Sequence, residues 1–135
     1  MNEVWQDKIP PQDIEAEQAV LGAIFLDSDT LIDAMEIVTP RSFYRRSHQI
    51  IFQSMIQLSN RGEAIDLVTL KAEIEKSNAL EDIGGISYLS ELSQSTPSSA
   101  SVSYYAKIVD AKSLLRQLIQ TANQIVVKSF EQGEE

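Results

Sequence analysis

The sequence predicts an all-α domain, with a compact head of about five helices followed by one long C-terminal helix. Apolar residues recur at helical spacing in nearly every segment, prolines and glycines fall between these segments, and residues 102–130 contain neither Pro nor Gly. A chain of 135 residues that is 43% hydrophobic suits a single domain with a small core. We expect a flexible N-terminal arm at 1–12, a helical head at 13–100 and the long helix at 101–135.

The first helix follows two prolines, Pro10 and Pro11, which hold the entering chain extended. Asp13 can cap a helix from Ile14 to Leu26, because its carboxylate can accept hydrogen bonds from the first turn. The apolar residues of this helix form an inward stripe. Small residues leave room for a second helix to approach closely: Ala16, Ala19, Gly22 and Ala23.

The second helix is predicted from about Thr30 to Val38, with Leu31, Ile32, Met35 and Val38 facing inward. Phe43 and Tyr44 should anchor the next connection against the core. Ser47 is placed to cap a third, buried helix, which we expect to end at Gly62 in a left-handed conformation.

The fourth helix should run from Leu67 to Ser77 with Asp66 as its cap. Residues 67–70 alone could form a strand, but the spacing of Leu67, Leu70 and Ile74 favours a helix. Gly84 and Gly85 then form a turn before a short fifth helix over 86–92, and residues 96–101 form a loop.

The long helix, over 102–130, would reach about 43 Å, which is longer than a domain of this size is wide. Its apolar seam predicts a subunit interface. Ile119, Val126 and Phe130 widen the apolar surface beyond the footprint of one partner helix. The predicted interface residues are Leu115, Leu118, Ala122 and Ile125.

The charge distribution argues against DNA binding by this domain. The net charge is −9, and residues 1–40 hold nine acids and one base, so most of the surface should repel phosphates. Cysteine is absent, no apolar run reaches the roughly 20 residues that span a bilayer, and the N-terminus lacks a basic leader. We expect a cytoplasmic protein with no membrane contact.

No catalytic, cofactor-binding or metal-binding residues are predicted. There is no glycine-rich phosphate loop ending in Gly-Lys, and His48 is the only histidine. We expect His48 to pack or to make a local hydrogen bond. Glu15 and Glu17 should face different directions, which makes them a poor acid–base pair.

The one basic concentration is formed by four arginines: Arg41, Arg45, Arg46 and Arg61. A solvated patch that balances the acidic head is the first interpretation. A contact with an acidic patch of a neighbouring subunit is the second, and a DNA contact is the third.

Several strings, in order along the chain, resemble the N-terminal domain of bacterial hexameric replicative DNA helicases, the DnaB family. Ser42 departs from that pattern, which usually has an acidic residue there. The strings that carry the resemblance are 10–27, 41–52, 66–70, 84–92, 104–109 and 116–122.

The resemblance implies an oligomerisation and primase-docking domain of an ATP-dependent helicase. The long helix would be the first arm of a helical hairpin, truncated before the second arm, that pairs with another subunit and builds a trimer of dimers. Its partners would be other subunits and the C-terminal domain of primase, with a helicase loader as a further candidate. ATP, Mg and DNA would be handled by a motor outside this non-catalytic segment. The alternative function is a stand-alone helical adaptor or dimerisation domain without a motor.

The candidate primase contact consists of Glu15, Tyr88, Ile119 and Ile125. Tyr88 has a second interpretation as a half-buried core residue, because it lies on the same side of the fifth helix as Leu92.

Overall fold

The computed structural model describes residues 8–96 and 98–133, which are helical with no strand among them. The predicted all-α class, with a long C-terminal helix, is confirmed. The N-terminal part of the expected flexible arm, residues 1–7, lies outside the described residues. The elements are α1 (Ile14–Leu26), α2 (Thr30–Met35), a 3-10 turn (Pro40–Ser42), α3 (Arg46–Asn60), α4 (Leu67–Glu75), α5 (Gly85–Ser93) and α6 (Val102–Gly133).

Helix α1 lies at the centre of the head, where it packs against α6, α5 and α3. Gly22 permits its close approach to the end of α5. A Cβ atom at this position would lie 2.9 Å from the carbonyl oxygen of Leu92 and 2.5 Å from Oγ of Ser95. The expected close approach of a second helix is therefore confirmed at Gly22.

The ends of three helices follow the local capping chemistry that the sequence predicts. The side chain of Asp13 accepts a hydrogen bond from the backbone N–H of Ala16, and Asp66 accepts one from Thr69. Gly62 has φ of +72°, the left-handed conformation expected after α3. Gly84 and Gly85 likewise have positive φ in the turn before α5.

The prediction for the second helix is confirmed for Leu31 and Val38, which are buried, and is wrong at the end of the helix and for Ile32 and Met35. Helix α2 ends at Met35, and the N–H groups of Ile37 and Val38 both turn back to the carbonyl of Ala34. Leu31 and Ala34 face the core, so Ile32 and Met35 point outward and are 64% and 43% exposed. The short helix therefore buries only the side that carries Thr30, Leu31 and Ala34.

Ser47 does not cap the third helix. Helix α3 begins at Arg46, and its N-cap residue Arg45 makes no side-chain capping bond. The carboxylate of Glu17, on α1, instead accepts hydrogen bonds from the N–H groups of Tyr44 at 2.6 Å and Arg45 at 3.4 Å. A buried acid from another helix therefore fixes the backbone that leads into α3, at Tyr44 and at the N-cap residue Arg45.

An ion-pair cluster joins the end of α3 to α4. Arg61 pairs with both Glu63 and Glu73, and Lys76 donates to Glu73 at 3.2 Å. The hydrogen bond from Arg61, aided by that from Lys76, holds the pKa of Glu73 below its usual value. The same arginine lowers the pKa of Glu63.

We expect Glu73→Gln to lower the melting temperature at neutral pH, with a difference from the parent chain that disappears in acid. A carboxyl group whose pKa is lowered by folding stabilises the fold above its unfolded pKa, and this stability is lost as the pH falls through the folded value. Thermal melts between pH 7 and about pH 3 measure the difference. A difference that stays constant down to the lowest pH would contradict the proposed charge interaction.

Candidate interaction surfaces

Helix α6 buries side chains against the head only along its first half. Its buried residues are spaced so that they lie on one side of the helix: Val102, Ala106, Val109 and Ser113. From Gln117 to Gln132 every residue is exposed. At 1.5 Å per residue, this segment, which we call the projecting arm, is about 24 Å long. No helix in residues 8–96 or 98–133 is long and apolar enough to cross a membrane.

The projecting arm carries an apolar stripe that contains no charged side chain. At about 100° per residue, its members cover a sector of about 160°, in which the polar residues between positions 114 and 132 are Ser129 and, at one edge, Gln132. Leu118 and Ile125 are 59% and 61% exposed. The stripe consists of Leu114, Leu115, Leu118, Ile119, Ala122, Ile125, Val126, Ser129 and Phe130.

The apolar stripe faces away from the side of α6 that packs on the head. The buried residues Val102, Ala106 and Val109 lie on average about 170° around the helix from the centre of the stripe. The four predicted interface residues all lie in the stripe and are exposed: Leu115, Leu118, Ala122 and Ile125. Their pairing with another subunit stays a prediction.

Arg116 fixes the long helix to the head where the projecting arm begins. Its guanidinium donates to the carbonyl oxygens of Pro11 at 2.8 Å and Ser42 at 2.7 Å. It also lies over the ring of Tyr44, 5.4 Å from the centroid. Phe43 is buried as predicted, whereas Tyr44 is exposed and contacts the arm through this arginine. Sequence reasoning missed this contact.

A buried chain of hydrogen bonds connects α1, α3 and α5. Nδ1 of His48 lies 2.7 Å from Oε1 of Glu17, and Nε2 lies 2.6 Å from the hydroxyl oxygen of Tyr88. A carboxylate only accepts, so Nδ1 donates to Glu17, and in the neutral ring Nε2 accepts the hydrogen of Tyr88. Gln18 donates to the same hydroxyl at 3.2 Å. His48 is buried and hydrogen-bonded, but its partners lie 31 and 40 residues away in the chain, so these bonds are not the local ones expected.

Glu17 takes part in these buried hydrogen bonds, a role that the sequence did not lead us to expect. It is 1% exposed, whereas Glu15 is exposed, so the two acids do face different directions as predicted. Its position three and seven residues before Val20 and Ile24 places it on the inward stripe of α1. The presence of an acid on the inward apolar stripe could have indicated that Glu17 is buried and has a hydrogen-bond partner.

The candidate primase residues do not share one pocket. Tyr88 is partly buried against the core and its ring stacks on His48, with 5.9 Å between the ring centroids. Glu15 borders a groove with Tyr105 and Ile108. Ile119 lines a different groove, and Ile125 lies farther out on the projecting arm. Their contact with primase stays a prediction.

The four arginines of the basic concentration separate into different environments. Arg61 is paired with Glu63 and Glu73, and Arg45 lies 3.4 Å from the Tyr88 hydroxyl. Arg41 and Arg46 line a surface groove together with Arg116. The four arginines are close in the sequence but do not form one patch in the fold. Arg116 of α6, which the sequence analysis did not include, lies with Arg41 and Arg46 in the groove.

Comparison with known proteins identifies relatives for most of the chain. A family model described as the DnaB-like helicase N-terminal domain matches residues 9–111. Replicative DNA helicase DnaB of Geobacillus stearothermophilus is 53% identical over all 135 residues. The chain covers 30% of the length of that helicase.

Solved structures show the same fold. The N-terminal domain of DnaB helicase from Mycobacterium tuberculosis matches with a TM-score of 0.87 and 40% identity, over 90% of this chain and 88% of that one. A DnaB-like replicative helicase, whose structure is described with its interactions with primase, matches with a TM-score of 0.75 and 28% identity. That match covers 86% of this chain and 27% of the other.

Proposed function

Because the chain belongs to the family of DnaB-like helicase N-terminal domains, we propose that it forms the collar of a replicative DNA helicase. In this role it pairs subunits through the projecting arm and docks primase. ATP hydrolysis with Mg, and DNA unwinding, belong to the part of the helicase outside this segment, which is 30% of the length of a curated relative. The dimers assemble further into a trimer of dimers.

The observation that carries the assembly role is the uncharged apolar stripe. A helix that served only the head would be apolar on its packed side and polar on the other. This helix is instead apolar on the side opposite the head, where Leu118, Ile125 and Phe130 are each more than half exposed. A contiguous exposed apolar surface of this kind is typical of a protein–protein interface.

A stand-alone adaptor without a motor is the rival function. It would use the same stripe, so the surface does not distinguish the two. A phosphate-binding loop encoded downstream in the same gene would favour the helicase, and its absence would favour the adaptor.

Primase docking is supported by the relative whose structure is described with its interactions with primase. Tyr88 is a suitable contact because its hydroxyl is held by His48 and Gln18, while the residue stays partly exposed. A ring held in place loses little conformational freedom when a partner covers it. Glu15, Ile119 and Ile125 extend the proposed contact over neighbouring surfaces.

We expect Tyr88→Ala to weaken the binding of a purified primase C-terminal domain, measured by titration calorimetry. Tyr88→Phe is the matched control, since it keeps the ring and removes the hydroxyl that bonds to His48. The Phe variant should lose about 1–3 kcal/mol of stability and retain primase affinity. Primase affinity that is unchanged in the Ala variant would assign Tyr88 to the core and contradict its role in docking.

A further inference from the structure

The groove beside Arg116 is a basic site on an acidic protein. Three arginines contribute to it, and no acid is among its lining residues, although the chain has a net charge of −9. Within the described residues, none of the three forms an ion pair with a carboxylate. We define the arginine groove as Arg41, Tyr44, Arg46, Arg116, Ile119 and Gln120, and Ile119 is also part of the apolar stripe, near its edge.

The acidic face of α2 has the complementary composition. Its acids are exposed and lie around Ile32, and Met35 borders them; these are the two apolar side chains that the short helix leaves outside the core. At about 100° per residue, Ile32 and the three acids lie on the side of α2 opposite buried Leu31 and Ala34, and Met35 lies at the edge of this face. The face consists of Asp29, Ile32, Asp33, Met35 and Glu36.

We propose that the arginine groove of one copy of this chain binds the acidic face of α2 of another copy. Arg41 and Arg46 would pair with the carboxylates of Asp33 and Glu36, because a guanidinium fork matches a carboxylate well. Ile32 and Met35 would pack against Tyr44 and Ile119, which are both 38% exposed. Apolar contacts inside a charged rim are the usual anatomy of a protein interface.

This contact deepens the proposed assembly role, on which it rests, because it differs in kind from pairing through the apolar stripe. The stripe can pair with an identical stripe, whereas the groove and the acidic face are two different surfaces. When two different surfaces form the contact, each copy can bind a further copy. The assembly closes into a ring if the rotation that relates neighbouring copies returns to the first copy. The groove contact would therefore join dimers that the stripe has formed.

DNA is the competing occupant of a basic groove. The acids that outnumber the bases over the whole chain would repel a phosphate backbone around the site. A protein face that carries acids together with apolar side chains complements the groove more fully, since phosphates would leave Tyr44 and Ile119 without apolar partners. A second copy of the chain supplies such a face.

The test uses sedimentation velocity at low and moderate salt on charge-reversed chains. Arg41→Glu/Arg46→Glu should reduce the salt-sensitive assemblies of the parent chain to dimers, and Asp33→Arg/Glu36→Arg should do the same. An equimolar mixture of the two variants should restore a contact, because the reversed groove then meets a reversed face. Arg116 is kept, since it fixes α6 to the head. Lys71→Glu/Lys107→Glu carries the same change in charge on other surfaces and should behave like the parent chain.

The outcomes separate this contact from the apolar stripe. Leu118→Asp, which changes only the stripe, should keep a salt-sensitive contact between copies. A parent chain that forms dimers alone, with the groove variant unchanged, would overturn the groove contact and leave the stripe intact. Weaker binding of a fluorescent DNA duplex by the groove variant, with no change in its assembly, would assign the groove to DNA and overturn the proposal.

Discussion

Replacing Glu17 with Ala should lower the free energy of unfolding by about 3–5 kcal/mol. The buried carboxylate accepts hydrogen bonds from the N–H groups of Tyr44 and Arg45 and from Nδ1 of His48. Alanine would leave these donors without the carboxylate that accepts their hydrogen bonds, and His48 is fully buried. Thermal unfolding should show a fall of roughly 10–20 °C in melting temperature.

Glu15→Ala is the matched control for this experiment. It removes the same charge from the same helix, but Glu15 is exposed, so the expected change is within about 0.5 kcal/mol. Similar melting temperatures for the two variants would show that the buried hydrogen-bond chain contributes no more than a surface acid. Glu17→Leu combined with His48→Leu and Tyr88→Phe should be less destabilised than Glu17→Ala, because no buried imidazole is left without its partner, although the N–H groups of Tyr44 and Arg45 still lose theirs.

The sequence predicted those parts of the fold that depend on neighbouring residues. The bounds of α1 are those expected, since Asp13 and the apolar spacing after it act within a few residues. The cap at Asp66 and the left-handed Gly62 are equally local. The long helix was predictable because nothing in its sequence interrupts it. Local preference and final structure agree at these positions.

Contacts between distant segments could not be predicted in the same way. His48 lies 31 residues from Glu17 and 40 from Tyr88 in the chain, so their spacing carries no periodic signal. The backbone that leads into helix α3 is therefore held by Glu17 of α1, and Ser47 does not cap the helix. Arg116 bonds to backbone carbonyls 105 and 74 residues away. In α2, apolar residues at helical spacing suggested one buried face. The rest of the fold covers Leu31 but leaves Ile32 and Met35 exposed.

The arm itself is the surface on which the proposed assembly depends, and Leu118→Asp should weaken self-association at least about a hundredfold. Leu118 is 59% exposed in the single chain, so an aspartate there remains solvated until a partner helix covers it. Burial of that charge against an apolar stripe without a cation would then cost several kcal/mol. Sedimentation equilibrium over a range of concentrations measures the dissociation constant.

Gln124→Asp is the control that decides whether the stripe, rather than added charge, is responsible. It introduces the same side chain in the same arm, but about 120° from Leu118 around the helix and outside the stripe. Both variants should keep the helicity and melting temperature of the head, since neither position contacts it. Equal weakening by the two substitutions would point to general charge repulsion. No weakening by Leu118→Asp would mean that the apolar stripe is not where subunits pair.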